Sequence, residues 1–378
     1  MTTNAGLQGV VVADSRLSLV DGQEGKLYYC GYPIQTLAEH ALFEEVEFLL
    51  WHNRLPNQAE LDLLTKQIAA EASLPAGIIS LMKALPLDAN PMAVLRTVVS
   101  ALAHYDADSE DNTNKDLTLQ KAIRLTGQVT TATAAWERIR VGQEPIAPNP
   151  DYNLAQNFVY MLDGNVPPEA AWKAINVYLV LLCEHGMNAS TFAARVVTGT
   201  ISDIHSAITA GIAALKGPAH GGANTEAMNQ FLEIGEVENV EPWFNTNIKS
   251  GDKRIMGIGH RVYKALDPRA AILKERAREL AEQSGNLKWF QIAEKLDQLA
   301  RADAYFIDRN LYANVDYYSA IVLYTLGLKT DAFTPLFAMA RIGGWSAHVI
   351  EQMGGRLIRP DVNYTGPLDL EWVEIANR

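Results

Sequence analysis

The chain has 378 residues, 48% of them hydrophobic, with 44 acidic side chains against 32 basic ones and a formal charge of −12. That much apolar material can bury a large core, which excludes an extended disordered chain. The negative balance excludes a general nucleic-acid binder, which needs a basic footprint.

The opening residues MTTNAGLQ are polar and carry no basic stretch leading into an apolar one. No secretory signal is expected, and a cytoplasmic location follows as an expectation. Val10, Val11 and Val12, then Leu17 and Leu19, lie before the turn-rich residues 21–25, and Leu27, Tyr28 and Tyr29 follow. The pattern predicts a small β-hairpin. After Thr36 the period becomes helical, with Leu37, Ala41, Val46, Leu49 and Leu50 recurring on one face. Helices are predicted near 57–73, 91–105 and 116–140. Pro145, Pro148 and Pro150 then mark an interhelical loop rather than a domain linker. Apolar helices resume at Tyr152. More are predicted near 167–184, 190–199, 204–215, 224–234, 269–283, 286–302, 315–325 and 333–353. The longest apolar stretch, residues 174–183, is about half of the roughly 20 residues a bilayer span needs, so it is a core helix and no membrane partner is expected. Cys30 and Cys183 are the only cysteines and form no CxxC or disulfide framework. The fold class is all-α with an N-terminal hairpin.

No P-loop, GxGxxG or HExxH is present. His185, His220 and His260 lack a second ligand at i+3 or i+4, so no metal site is expected. Each of the three is followed or preceded by glycine, in His185-Gly186, His220-Gly221-Gly222 and Gly257-Ile258-Gly259-His260. Glycine permits close backbone approach to a ligand. His185 follows a helix whose negative end favours protonation. His220 precedes a helix with Asn224 as its expected N-cap, and the positive end of that helix favours a neutral imidazole.

Residues 253–278 carry eight cations (Lys253, Arg254, Arg261, Lys264, Arg269, Lys274, Arg276 and Arg278) against Asp267 and Glu275, a net of +6 in an acidic chain. The far end, with Lys274 and Arg278, reads as a solvated helix face. The part that glycines and His260 interleave reads as an anion site. Arg341 shares a helix face with Trp345 and His348, and Arg359 follows. Arginine suits bidentate carboxylate recognition. Asp316 opens an apolar helix, where it either complements the dipole or acts as a base. The dipole lowers its pKa. So weak a base removes a carbon-bound proton only when the enolate is stabilised at the same moment.

These residues carry a resemblance. Residues 215–224 (LKGPAHGGAN) and 257–264 (GIGHRVYK), the latter followed by Asp267-Pro268-Arg269, resemble the two histidine motifs of the citrate synthase family. Residues 184–191 (EHGMNAST), 314–319 (NVDYYS) and 341–348 (RIGGWSAH), with Glu351-Gln352 and Arg359-Pro360, are similar to its other signature segments. The amino end, from Gly6-Leu7-Gln8-Gly9-Val10 to residues 28–32, is similar to the short form of the family. The likeness covers essentially the whole chain. One departure is Asp316-Tyr317-Tyr318-Ser319-Ala320, where many members read Asp-Phe-Tyr-Ser-Gly.

The resemblance implies a nearly all-α homodimer. A large domain would comprise residues 1–220 plus 322–378, and a small inserted domain residues 221–321. It implies condensation of acetyl-CoA or propionyl-CoA with oxaloacetate to give citrate or 2-methylcitrate, with no metal or redox cofactor. Asp316 would take the proton next to the thioester, His220 would hydrogen-bond the enol oxygen, and His260 would polarise the ketone. His185, Arg269 and Arg341 would hold oxaloacetate, as would Arg359 reaching across from the partner subunit. Arg261, Lys264, Gly257 and Gly259 would contact coenzyme A. Two rival readings are an α-helical scaffold with structural histidines, and a thiolase-like condensation through Cys183, which would need an activated thiol.

Overall fold

The computed structural model describes residues 5–7, 9–108 and 110–378. Residues 1–4, Gln8 and Ser109 lie outside the described residues, so the polar leader and part of the Gly6–Val10 resemblance are not tested. The predicted hairpin forms. Strand β1 (Ser18–Asp21) pairs antiparallel with β2 (Lys26–Tyr29), and β2 pairs with a short third strand, β3 (Tyr32–Pro33). Asp21 accepts the amide hydrogens of Gln23 and Glu24 at 3.0 Å each, which shapes the turn. Val10, Val11 and Val12 join no strand and are exposed or nearly so. No strand among the described residues pairs with them to take their backbone hydrogen bonds, so β propensity alone does not make them a strand.

Helices then run α1 (Ile34–His40), α2 (Phe43–His52), α3 (Gln58–Glu71), α4 (Ala76–Ala84), α5 (Pro91–Leu102) and α6 (Lys115–Ile139). After the proline-containing loop come α7 (Leu154–Asp163), α8 (Glu169–Leu182), α9 (Ala189–Thr198) and α10 (Ile204–Leu215). The short α11 (Pro218–Gly221), α12 (Ala223–Ile234) and α13 (Val240–Phe244) follow. The series ends with α14 (Pro268–Gln283), α15 (Lys288–Ala302), α16 (Ala304–Ile307), α17 (Val315–Thr325) and α18 (Phe333–Gln352). Helices α4 and α13, and the one-turn α11 and α16, lie outside the predicted ranges. Pro75 and Pro86 bracket α4, Pro242 lies inside α13, and neither segment is long enough to show a clear period.

Helix α18 is buried almost all round, and α2, α6, α8, α9 and α10 pack against it. This is what a segment apolar on every face requires. A second group, α12, α14, α15 and α17, packs on itself, while α14 also lies against α8 and α1. Polar caps set the starts of three helices that matter below. Asn188, Asp267 and Asn314 accept the first free amide hydrogens of α9, α14 and α17. No helix among the described residues is long and apolar enough to cross a membrane. Beyond residue 353 the chain runs without regular structure apart from one 3-10 turn, and it exposes Val362, Tyr364, Leu368, Leu370, Trp372 and Ile375.

Candidate active site

Three helix junctions meet here: the turn between α8 and α9, the α11 segment, and the loops that precede α14 and α17. In the first, Gly186 takes a left-handed backbone (φ 63°), and its amide donates to the buried carboxylate of Glu184 at 2.6 Å. That carboxylate also accepts from Ser18 and from His348. His185 is thereby presented on a turn that side chains of the hairpin and of α18 hold in place. Its Nε2 lies 3.1 Å from the Tyr263 hydroxyl.

His220 sits in α11 with Nε2 2.8 Å from the Ser190 hydroxyl, which Trp345 Nε1 also approaches as a donor at 3.1 Å. The Ser190 amide donates to the same Nε2 at 3.3 Å. A backbone N–H can only donate, so Nε2 is the acceptor and the ring proton belongs on Nδ1. His260 has the opposite arrangement. Its Nδ1 accepts from the amides of Val262 at 3.0 Å and Tyr263 at 3.1 Å, which leaves the proton on Nε2. The two imidazoles are therefore neutral donors, each held by its other nitrogen.

Gly257 and Gly259 have φ of 77° and 91°, and a Cβ at Gly257 would lie 2.9 Å from the Tyr317 Cα. The close approach lets this loop bind the chain just before Asp316. The Asn314 amide donates to the Gly257 carbonyl, the Gly259 amide donates to the Tyr312 carbonyl, and Asn314 Nδ2 donates to the Gly259 carbonyl, each at 2.8 Å. The glycines thus fix the His260 loop to the start of α17. This is a positioning role that the sequence reading, which gave them to coenzyme A, did not contain.

Arg269 and Arg341 are each 2% exposed, whereas His185, His220, His260 and Asp316 are partly accessible. Arg269 donates to both oxygens of Asp267, at 2.9 and 2.8 Å. Arg341 donates through Nε to the Leu182 carbonyl at 2.7 Å, and its buried Nη1 has no hydrogen-bond partner among the described residues. A buried guanidinium with a free donor is costly unless an anion completes it.

Burial pushes His220 down to about 4, helped by Arg341, and pushes His260 down to about 4, helped by Arg269. The neutral His220 agrees with expectation, but its cause is burial. Asn224 is not the cap of α12, because Gly222 holds that position and Asn224 lies inside the first turn. His185 corrects the sequence reading. Burial, then Arg269, His260, Arg341 and His220, hold it well below the ordinary imidazole range, and these outweigh the end of α8. Asp316 is a second correction. Burial raises it to about 6 although Arg269 and Arg341 oppose the shift, so desolvation outweighs the helix dipole and makes a better base. Arg341 acts on His185, His220 and Asp316, and Arg269 acts on His185, His260 and Asp316, so the two guanidiniums electrically join the three junctions.

Arg359 is exposed on the C-terminal segment. Arg261 and Lys264 are exposed beside His260 and make no ion pair among the described residues. Further along, the half-buried Lys274 and the exposed Arg278 both pair with Glu294. Cys183 is buried, and burial pushes its thiol well above the ordinary range, which disfavours the thiolate that the thiolase-like rival needs. Among the described residues no three His, Cys, Asp or Glu side chains are grouped to hold a metal ion. Sequence reasoning missed Ser190, Glu184 and Tyr263 as site residues. Each lies inside a quoted motif, but only the folded chain shows what it touches.

The profile of the family described as "Citrate synthase, C-terminal domain" matches residues 6–361. The chain is 46% identical to "Citrate synthase 2" of Bacillus subtilis, with 100% of both chains covered. It is 40% identical to the 2-methylcitrate synthase of Mycobacterium tuberculosis over 96% of this chain and 90% of that one. It superposes with a TM-score of 0.93 and 35% identity, over 99% of each chain, on the ternary complex of carboxymethyl coenzyme A and oxaloacetate with citrate synthase from Thermoplasma acidophilum.

Proposed function

The chain belongs to the citrate synthase family and condenses an acyl-CoA with oxaloacetate, and we propose that His220, His260 and Asp316 carry the chemistry. Oxaloacetate is a dianion, and its carboxylates go to Arg269, to the free Nη1 of Arg341 and to His185. His260 Nε2–H donates to the ketone oxygen and draws charge from the carbon to be attacked. Asp316 takes a proton from the carbon beside the thioester, while His220 Nδ1–H donates to the thioester oxygen, so the enolate charge is met as it forms. The enol carbon attacks the ketone, and water then cleaves the thioester to release coenzyme A. The observation that carries this assignment is the opposed tautomers of two neutral imidazoles beside buried arginines. Arg261 and Lys264, exposed beside His260 and in no ion pair among the described residues, are suited to coenzyme A phosphates. The packing of α12, α14, α15 and α17 on one another supports an inserted small domain, proposed at 221–321, whose last helix α17 runs on to Thr325. The cell compartment is proposed to be the cytoplasm.

A thiol-release assay with oxaloacetate tests the reading. Coenzyme A should be freed only when oxaloacetate is present, and oxaloacetate-independent release would overturn it. Acetyl-CoA and propionyl-CoA differ by one methylene, worth about 1–3 kcal/mol in a pocket, so both are expected to turn over at different kcat/KM.

The working unit is proposed to be a homodimer with Arg359 supplied across the interface. The apolar side chains that the C-terminal segment exposes support this, since a second copy would cover them. Subunit mixing checks it. Arg359→Ala and Asp316→Asn are each nearly inactive alone. Co-expressed, half of the dimers are mixed and half of the sites in those are intact, so about a quarter of the activity should return. No recovery would place Arg359 in its own subunit's site, and an active Arg359→Ala on its own would place it outside any site.

A further inference from the structure

Three parts of the chain close a triangle around His185. The strands of the hairpin hold the His185 turn at one corner: the Gly186 amide donates to Ser18 Oγ at 3.1 Å, and Val20 lies against Gly186. The tip of the same hairpin holds the loop after His260 at the second corner. There the Lys264 amide donates to the Gly22 carbonyl at 2.7 Å. A Cβ at Gly22 would sit 2.2 Å from the Val262 carbonyl oxygen, a distance no side chain tolerates, so only glycine permits this seating. The third corner is the contact between Tyr263 Oη and His185 Nε2 at 3.1 Å.

Tyr263 is 2% exposed and has neighbours on three sides of the site. Its ring centroid is 4.8 Å from that of His260 and 5.5 Å from that of His185, and the Arg269 Cζ lies 5.7 Å from it. Its amide also donates to His260 Nδ1. One residue therefore fixes the His260 tautomer through its backbone and reaches His185 through its side chain. Val262, Tyr263 and Lys264 are pinned in succession, the first two on His260 and the third on the hairpin.

We propose that Tyr263 is a positioning residue whose hydroxyl orients His185 for oxaloacetate only when the hairpin tip has seated the 262–266 loop. The α8–α9 turn and the His260 loop come from the two segments assigned to different domains, so the bond reports their approach. The inference rests on the reading of His185 and Arg269 as oxaloacetate-binding groups.

Tyr263→Phe removes one hydroxyl and keeps the ring. A neutral hydrogen bond of this kind is worth about three- to tenfold in affinity. The KM for oxaloacetate should rise by that factor, with kcat within about twofold of the parent. Gly22→Ala, at the hairpin corner and remote from the substrate groups, should raise the same KM. The double variant should be no worse than the poorer single one, because both break one closed arrangement. An unchanged oxaloacetate KM in Tyr263→Phe, a fall in kcat alone, or multiplied effects in the double variant would overturn the proposal. The unmodified enzyme is the control that separates the two levels. If it frees no coenzyme A with oxaloacetate, the functional reading fails, whereas normal turnover with an insensitive Tyr263→Phe defeats this inference alone.

Discussion

Asp316→Asn should lower kcat by at least about a hundredfold, the usual size for loss of a general base. The side chain stays the same size and the Asn314 cap of α17 is untouched, so the fold should persist. Stability gives an independent check. A carboxyl whose folded pKa is raised to about 6 prefers to be neutral in the folded chain. Above that pH its ionised form costs folding stability, and below the unfolded value the cost disappears. At neutral pH the neutral asparagine should therefore hold the melting temperature or raise it while activity collapses. The parent enzyme should show the matching pH profile. The base must be ionised, so kcat/KM should climb as pH rises through about 6. His220 and His260, held near 4, are already neutral there and add no further step. Near-normal turnover in Asp316→Asn would remove the residue from its role.

Asp267→Ala should cost stability on the scale of about 3–5 kcal/mol, the range for removing one partner of a buried ion pair. Both members are almost wholly buried, and the guanidinium makes two side-chain hydrogen bonds to the carboxylate. The same carboxylate also caps α14 through the Arg269 amide and accepts from the Val315 amide at 3.2 Å. Alanine strands a buried cation and frees two amides at once. Adding Arg269→Met to that variant should restore part of the stability, since no charge is then left unpaired, but not oxaloacetate binding. Chemical denaturation and calorimetry with oxaloacetate read the two effects separately. A single variant as stable as the parent would mean that water reaches Arg269 freely.

The site was legible in the sequence to the extent that its chemistry is carried by residue type. His220, His260 and Asp316 stand in contiguous runs, and the glycines beside them marked places of close approach. Protonation was not legible. The helix-end argument placed a proton on His185 and lowered Asp316, and both directions reversed, because burial beside two guanidiniums exceeds what one helix terminus supplies.

The sequence by itself determined the helical class and the hairpin, since hydrophobic period and turn chemistry act over neighbouring residues, and it set the proposed reacting groups in contiguous motifs. Tertiary structure alone decided the rest. Ser190 and Tyr263 acquire roles only when residues 30 and 78 positions away arrive beside them. The Gly257 loop needs its glycine because the Tyr317 backbone arrives against it. Tautomer and pKa depend on which donors and charges the packed chain brings within a few ångströms and on how much water it excludes, and neither quantity is a property of local sequence.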